Sequence, residues 1–324
     1  MKKLMTLALA AGMLLGAATG AGAIDFKAKG QWLMGFSAGD GSLISHTKAK
    51  GSDHNSARDT DDIFSASQRV RLQLDAVASE ALSGTVFFEI GDQVWGNAES
   101  GGALGADGPV VELKNAYIDW MVPNTDLKFR MGIQGIQLPN VAGGSAVFDD
   151  DVAGVVASYQ FNENVGLTTF WARPYNDNYD ARADRTNYQD NMDLFALMVP
   201  LTFDGVKVTP WAMYGMAGAN SKTVMSMGPY TRPISPDDGV ANTTTGKAYG
   251  SMFWAGLPIS LTLWDPLNVE LDINYGYVES MGRYDALRYN DRTSRMGDTK
   301  REGWLVKALV EYKMDWGTPG IFGW

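Results

Sequence analysis

The chain has no cysteine and only two histidines among its 324 residues. Without cysteine there is no disulfide framework, which excludes a small secreted module stapled by bridges and any chemistry that needs a thiolate. The two histidines, His46 and His54, both fall in one polar stretch, residues 37–62, and no nucleophile motif accompanies them. An enzyme has little to work with here, and no cofactor is implied. Asp53 with His54, or the run from Asp59 to Asp62, offers oxygen ligands to a divalent cation, although a solvated acidic face accounts for the same residues more simply. Positive charge is also short: 27 lysines and arginines stand against 37 acids, a formal net charge of −10. That balance excludes nucleic acid as a partner, since phosphate binding needs a basic surface. The last absence is of long apolar runs. Beyond residue 18, none reaches the roughly 18 residues that a membrane-crossing helix requires.

What is present begins at the amino terminus. Lys2 and Lys3 precede an apolar run over residues 4–18, and small residues follow, ending Ala21-Gly22-Ala23. This is the layout of a secretory signal peptide, with cleavage expected after Ala23 and residues 24–324 forming one exported domain. The whole chain carries 10 tryptophans, 13 tyrosines and 37 glycines. Such an aromatic-rich, weakly hydropathic composition is how transmembrane β-barrels escape a search for apolar helices.

Period-two alternation runs through that domain. Over residues 268–279, Val269, Leu271, Ile273, Tyr275 and Tyr277 alternate with Glu270, Asp272, Asn274 and Gly276, so one face is apolar and the other polar or small. A slip of one residue would exchange the faces, so register is tightly specified. The same grammar appears over residues 25–36, 63–78 (broken only by Gln68), 84–91, 111–121, 127–134, 152–159, 166–173, 191–199, 206–217, 248–263 and 303–314. That gives about twelve strands. Their connections alternate between short and long, which places every short turn at one end. The fold expected is all-β: a transmembrane antiparallel up-and-down β-barrel with short periplasmic turns and long outer loops.

The charges then locate the water. Lys27 and Lys29, Arg69 and Arg71, and Lys128 and Arg130 all fall on polar faces, as do Asp75, Glu89, Asp119, Glu270 and Asp272. A lysine or arginine facing lipid at the bilayer midplane costs roughly 2–4 kcal/mol, so these residues should line a wet interior. The six bases form a candidate ladder that steers solutes and sets ion preference; a lumen that merely carries solvated charges is the plainer account. Between the fifth and sixth strands, residues 135–151 form a loop with Gly143, Gly144 and Ser145 for tight bending. It ends in Asp149, Asp150 and Asp151, acids available to compensate the bases. Trp32, Phe36, Trp120, Tyr159, Phe161, Trp264, Tyr275 and Tyr277 lie at run ends, where amphipathic rings suit the headgroup level.

Five segments taken in order also carry a resemblance. Ser67-Gln68-Arg69-Val70-Arg71-Leu72-Gln73-Leu74, Phe88-Glu89-Ile90-Gly91-Asp92, Ala116-Tyr117-Ile118-Asp119-Trp120, Phe170-Trp171-Ala172-Arg173-Pro174 and Leu263-Trp264-Asp265-Pro266 resemble the outer-membrane homotrimeric porins of sulfate-reducing bacteria. The resemblance spans nearly the whole exported domain. It implies a trimeric general-diffusion pore of roughly sixteen strands in a Gram-negative outer membrane, with the loop before Asp149–Asp151 folded inward as a constriction. Against that number, twelve strands and a proline- and glycine-bearing last stretch, residues 318–324, suggest a chain short of its final strands, or else a twelve-stranded barrel.

The function expected is passive diffusion of small hydrophilic solutes and ions through a water-filled channel, with outer-membrane lipid around it. Three alternatives remain at this stage: a substrate-specific channel with a continuous aromatic track, a plugged barrel serving as an adhesin or structural protein through loops such as residues 218–247, and a soluble exported β-sandwich.

Overall fold

The computed structural model describes residues 24–39, 63–105, 111–141, 143–176, 191–218, 249–279 and 301–324. The expected signal peptide, both histidines, the acids between residues 53 and 62 and most of the long connections lie outside the described residues. The described residues contain no helix. The chain divides into two units, Met1–Ala116 and Tyr117–Trp324.

The first unit holds β1 (Asp25–Gly39), β2 (Ile63–Ser79), β3 (Leu82–Val94) and the start of β4 (Glu112–Met121). β1 pairs antiparallel with β2 in unbroken register, Lys27 opposite Asp75 and Gln31 opposite Arg71. β2 pairs with β3, Arg71 opposite Glu89 and Asp75 opposite Thr85. Alternation therefore gathers Lys27, Lys29, Arg69, Arg71, Asp75 and Glu89 on one face, as the sequence indicates. Phe26, Trp32, Met34 and Phe36 occupy the other and are all exposed. Gln68, the single polar residue in that apolar row, donates its amide to Gln93 at 2.8 Å and accepts from the Trp95 indole at 3.3 Å. The break in the pattern is thus a satisfied hydrogen-bonding pair.

The second unit continues with β5 (Lys128–Gln137), β6 (Asp149–Gln160), β7 (Gly166–Asn176), β8 (Asn191–Met198), β9 (Leu201–Phe203), β10 (Val206–Val208), β11 (Trp211–Gly218), β12 (Tyr249–Trp264), β13 (Leu267–Val278), β14 (Arg301–Tyr312) and β15 (Gly320–Gly323). The sheet is antiparallel and up-and-down, each strand beside its neighbour in sequence except that β8 pairs with β11 and β10 with β12, while β9 and β10 form a short hairpin. Three features differ from the expected twelve runs. The expected run over residues 206–217 is divided into β10 and β11 at Thr209-Pro210, and the preceding strand is divided into β8 and β9 at Val199-Pro200, because proline has no N–H for the ladder. The hairpin between them turns at Asp204-Gly205, where Gly205 has φ +68°, so this turn is shorter than the expected stretch from Pro200 to Gly205. Finally, Gly320–Gly323 does form a strand, paired with β14 from Ala308 to Glu311.

The core of this unit lies on the same strand parity as Lys128 and Arg130. Ile136, Leu138, Val152, Phe170, Ala172, Leu194, Ala196, Met198, Trp211 and Met213 form one buried cluster, and Val147 and Phe148 of the β5–β6 connection pack on it. An interior lined by water throughout is therefore corrected for β6 to β11, where this face is apolar and covered. The face is mixed because β6 to β11 carry few ionisable residues, and burying a leucine-sized side chain contributes about 1.5–3 kcal/mol.

Candidate functional site

In the first unit the basic ladder is paired strand to strand. Arg71 donates to Glu89 at 2.6 Å. Arg69 makes a two-pronged contact with Asp92, its Nε 2.8 Å and its Nη2 2.5 Å from the two carboxylate oxygens. Lys29 lies 3.4 Å from Asp75, which also accepts from Gln73 and Thr85. Lys27 turns to its own strand neighbour Asp25 at 3.4 Å. The acids that compensate Arg69 and Arg71 are therefore Glu89 and Asp92 on the adjacent strand. Asp92 lies just past the expected run over residues 84–91, and β3 runs on through it to Val94.

The second unit repeats the motif with a different stoichiometry. Arg130 grips Asp119 through both carboxylate oxygens, each at 2.8 Å, and its guanidinium lies 4.2 Å from the centre of the Tyr117 ring. Lys128 approaches the same carboxylate at 3.5 Å. Two cations thus share one acid, leaving one positive charge in excess on this part of the wall.

The connection between β5 and β6, residues 138–148, crosses the same face. Leu138 is completely buried, and its N–H bonds to the Phe148 carbonyl at 3.0 Å, closing the base of the loop. Phe148 stacks on Phe170 of β7, ring centres 6.3 Å apart. Gly143 and Gly144 adopt φ +97° and +94°, conformations that residues with a Cβ rarely take. They bring the tip to β14, where the Lys307 ammonium donates to the Gly144 carbonyl at 2.5 Å. Lys307 also lies 3.0 Å from Asp272, directly opposite on β13, with only 7 % and 1 % of the two side chains exposed. Among the described residues, Asp272 Oδ1 and Asn274 Nδ2 beside it are buried with no hydrogen-bond partner.

The structure thus corrects two expectations. Asp149, Asp150 and Asp151 are not loop residues; they open β6, opposite Gln137, Ile136 and Gly135. By alternation only Asp150 shares the parity of Arg130, and Asp149 instead accepts from Gln137 at 2.6 Å. The β5 ladder simply persists past Gln134, extending the hairpin upward. Asp272 is likewise no open lumen acid, because the loop covers it and Lys307 neutralises it. Glu270 keeps the polar parity of β13. Lys307 belongs to no motif in the sequence; its alternation with Val306 and Ala308 is the signal that places it on the polar side of β14.

The face opposite the charges is largely apolar, with aromatic pairs near strand ends; at the long-connection end of β7 and β8 it carries Asp193, which accepts from the Trp171 indole and from Arg173, each at 2.8 Å. Trp120 stacks on Phe129 at 5.8 Å and Tyr159 meets Phe161 edge-on at 4.9 Å near the short turns, while Tyr275 meets Trp304 at 4.8 Å near the long connections. In the first unit Phe36 and Trp95 make a T-shaped pair at 5.5 Å.

No model of a known protein family matches the chain, and no curated protein matches it. Solved structures do. Salmonella typhi OmpF in complex with daunomycin is similar over 92 % of this chain and 77 % of its own, at 11 % identity and a TM-score of 0.43. OmpT, an outer membrane protein of Vibrio cholerae with loop L8 deleted, is similar over 94 % and 95 % at 14 % identity and a TM-score of 0.38. A refined porin is similar over 92 % and 94 % at 13 % identity, also with a TM-score of 0.38.

Proposed function

We propose that this chain forms a water-filled outer-membrane channel for passive diffusion of small hydrophilic solutes and ions, its strands closing a transmembrane barrel. The observation that carries this reading is the division of faces. In each unit the ion pairs gather on one strand parity and the other parity is an exposed apolar surface, except that Asp193, paired with Arg173 at 2.8 Å, takes the apolar parity at the long-connection end of β8. In the second unit that surface includes Met131, Ile133, Phe195, Leu197, Phe253 and Val306. A soluble protein rarely leaves so much apolar area uncovered; a bilayer covers it, and aromatic pairs at strand ends suit the two headgroup levels. The charges then face water, and the loop over residues 138–148 narrows the passage by crossing the charged face of its unit. Wall charges and a constriction suffice for diffusion down a gradient, and no step requires a cofactor.

Three finer elements belong to the same proposal. Residues 1–23 act as a signal peptide cleaved after Ala23, which routes the domain 24–324 to the outer membrane of a Gram-negative cell. The resemblance to porins of sulfate-reducing bacteria supports a homotrimer, and the small residues Ala28, Gly30, Ala66 and Ala76 on the apolar parity of β1 and β2 suit close subunit contact. The bases Lys27, Lys29, Arg69, Arg71, Lys128 and Arg130, each beside an acid, give weak ion selectivity. Planar-bilayer recording of the purified protein tests the reading: stepwise conductance is expected, rising when residues 143–146 are deleted. A protein that inserts yet shows no steps is a plugged or adhesive barrel, and the channel reading is then wrong.

A further inference from the structure

Between the loop base and the short-turn end of the second unit lies a groove of about 340 Å³, a volume in the range of small-molecule sites. Its two long sides differ in chemistry. On one side stand Lys128 and Arg130 of β5, which share the single carboxylate of Asp119. The floor and far side are apolar, formed by Val156 of β6, Phe170 of β7 and Met198 of β8. Ser158 and Thr168 edge the groove, and Thr168 donates its hydroxyl proton to Ser158 Oγ at 3.3 Å, so the Ser158 proton is free to be donated into the groove. The upper wall is rigid: Gln134, almost wholly buried, spends its amide on the carbonyls of Arg130 and Gly154 at 3.2 and 3.1 Å.

We infer that this groove is a subsite for small organic anions with an apolar body, such as aromatic or branched-chain carboxylates. The inference rests on the channel reading for its place in transport and gives that channel a preferred class of solute. The charge argument is direct. Arg130 is held by both oxygens of Asp119, whereas Lys128 approaches one of them at 3.5 Å with 45 % of its side chain exposed, so its ammonium is the cation available to a solute. A carboxylate meeting Lys128 and the Ser158 hydroxyl sets its apolar body against Val156 and the Phe170–Met198 floor. A simple inorganic anion uses the charge and not the floor; a neutral alcohol uses the floor and not the charge. Discrimination therefore needs both halves.

Saturation-transfer NMR on the full-length protein in detergent tests this without depending on conductance, with empty micelles as the reference. Benzoate should receive magnetisation from the protein, while acetate, which lacks the body, and benzyl alcohol, which lacks the charge, should bind markedly less. Lys128→Gln should weaken benzoate binding by about fivefold, the discrimination that one screened charge supplies, and Val156→Ser should weaken benzoate without creating any preference for acetate. Equal signals from benzoate and benzyl alcohol, or benzoate binding that neither substitution changes, overturns the subsite. If benzoate binds as expected but bilayers show no conductance steps, the channel reading fails and the subsite stands; if steps appear and benzoate does not bind, only the subsite fails.

Discussion

Replacing Lys307 by methionine isolates the contact between the loop and the far side of its unit. Methionine keeps the unbranched stem and removes the ammonium. In the wild-type protein that ammonium lies 3.0 Å from Asp272 and donates to the Gly144 carbonyl, and the Asp272 side chain is 1 % exposed. Water therefore has no access with which to rehydrate the abandoned carboxylate. Breaking a buried pair by removing one partner costs about 3–5 kcal/mol, whereas the same change in a surface pair costs about 1 kcal/mol or less. The large value applies here because Asp272 Oδ1 already lacks a hydrogen bond among the described residues, leaving the carboxylate nothing else to lean on. Removing both charges together, in Asp272→Leu with Lys307→Met, should recover most of the loss, since apolar replacements of a buried pair are often neutral or better. The assay is urea unfolding in detergent followed by tryptophan fluorescence, for the wild type, the two single variants and the double variant. A Lys307→Met cost below about 1 kcal/mol, or a double variant no more stable than the single, would refute the reasoning, because either result means that Asp272 is solvated. The same variant should show larger open-channel current noise, since the loop tip loses its hold at Gly144.

Two further substitutions test the two faces. Leu271→Arg, in the middle of β13 on the apolar parity between Ile259 and Ala308, should destabilise the protein in vesicles by about 2–4 kcal/mol if that face meets lipid; Gln73→Arg on the charged face of β2 should cost less than about 1 kcal/mol, and equal tolerance of the two would remove the case for a bilayer. Asp119→Asn leaves Lys128 and Arg130 without their shared acid, so the reversal potential in a salt gradient should move toward that of the anion. Stability should fall by only about 1 kcal/mol because the pair is partly solvated; an unmoved reversal potential would mean that these residues do not border the ion path.

The faces were legible in the sequence because period two is a local property. Val269 to Tyr277 against Glu270 to Gly276 needs no knowledge of any partner strand, and the bases on β1, β2 and β5 all take the predicted parity. Pairing across a short turn was nearly as accessible. Arg71 meets Glu89 because the β2–β3 hairpin is tight, and its register follows from the turn. Pairing across a long connection was not accessible. Lys307 and Asp272 belong to strands joined through residues 279–300, and a connection of that length leaves register undetermined. The position of Asp149 to Asp151 failed for another reason: a run of three acids looks like solvent-exposed loop, yet hydrogen-bonding of the β5 backbone carried the strand past it to Gln137.

The β5–β6 loop also explains why the charged face of the second unit can be interrupted by an apolar stretch. Phe170, Leu194, Met198 and Trp211 on a wall open to water would forfeit their burial; the loop covers this cluster with Val147 and Phe148. At its other end the loop is held by quite different physics, a lysine reaching the Gly144 carbonyl from a buried ion pair. The two attachments should respond differently. Apolar packing at the base is insensitive to salt and sets whether the loop stays on the wall, while the polar contact at the tip sets how far it reaches across. A change at Lys307 or Gly144 should therefore alter the width of the passage and leave the base in place, whereas a change at Phe148 should loosen the loop as a whole and expose the cluster beneath it.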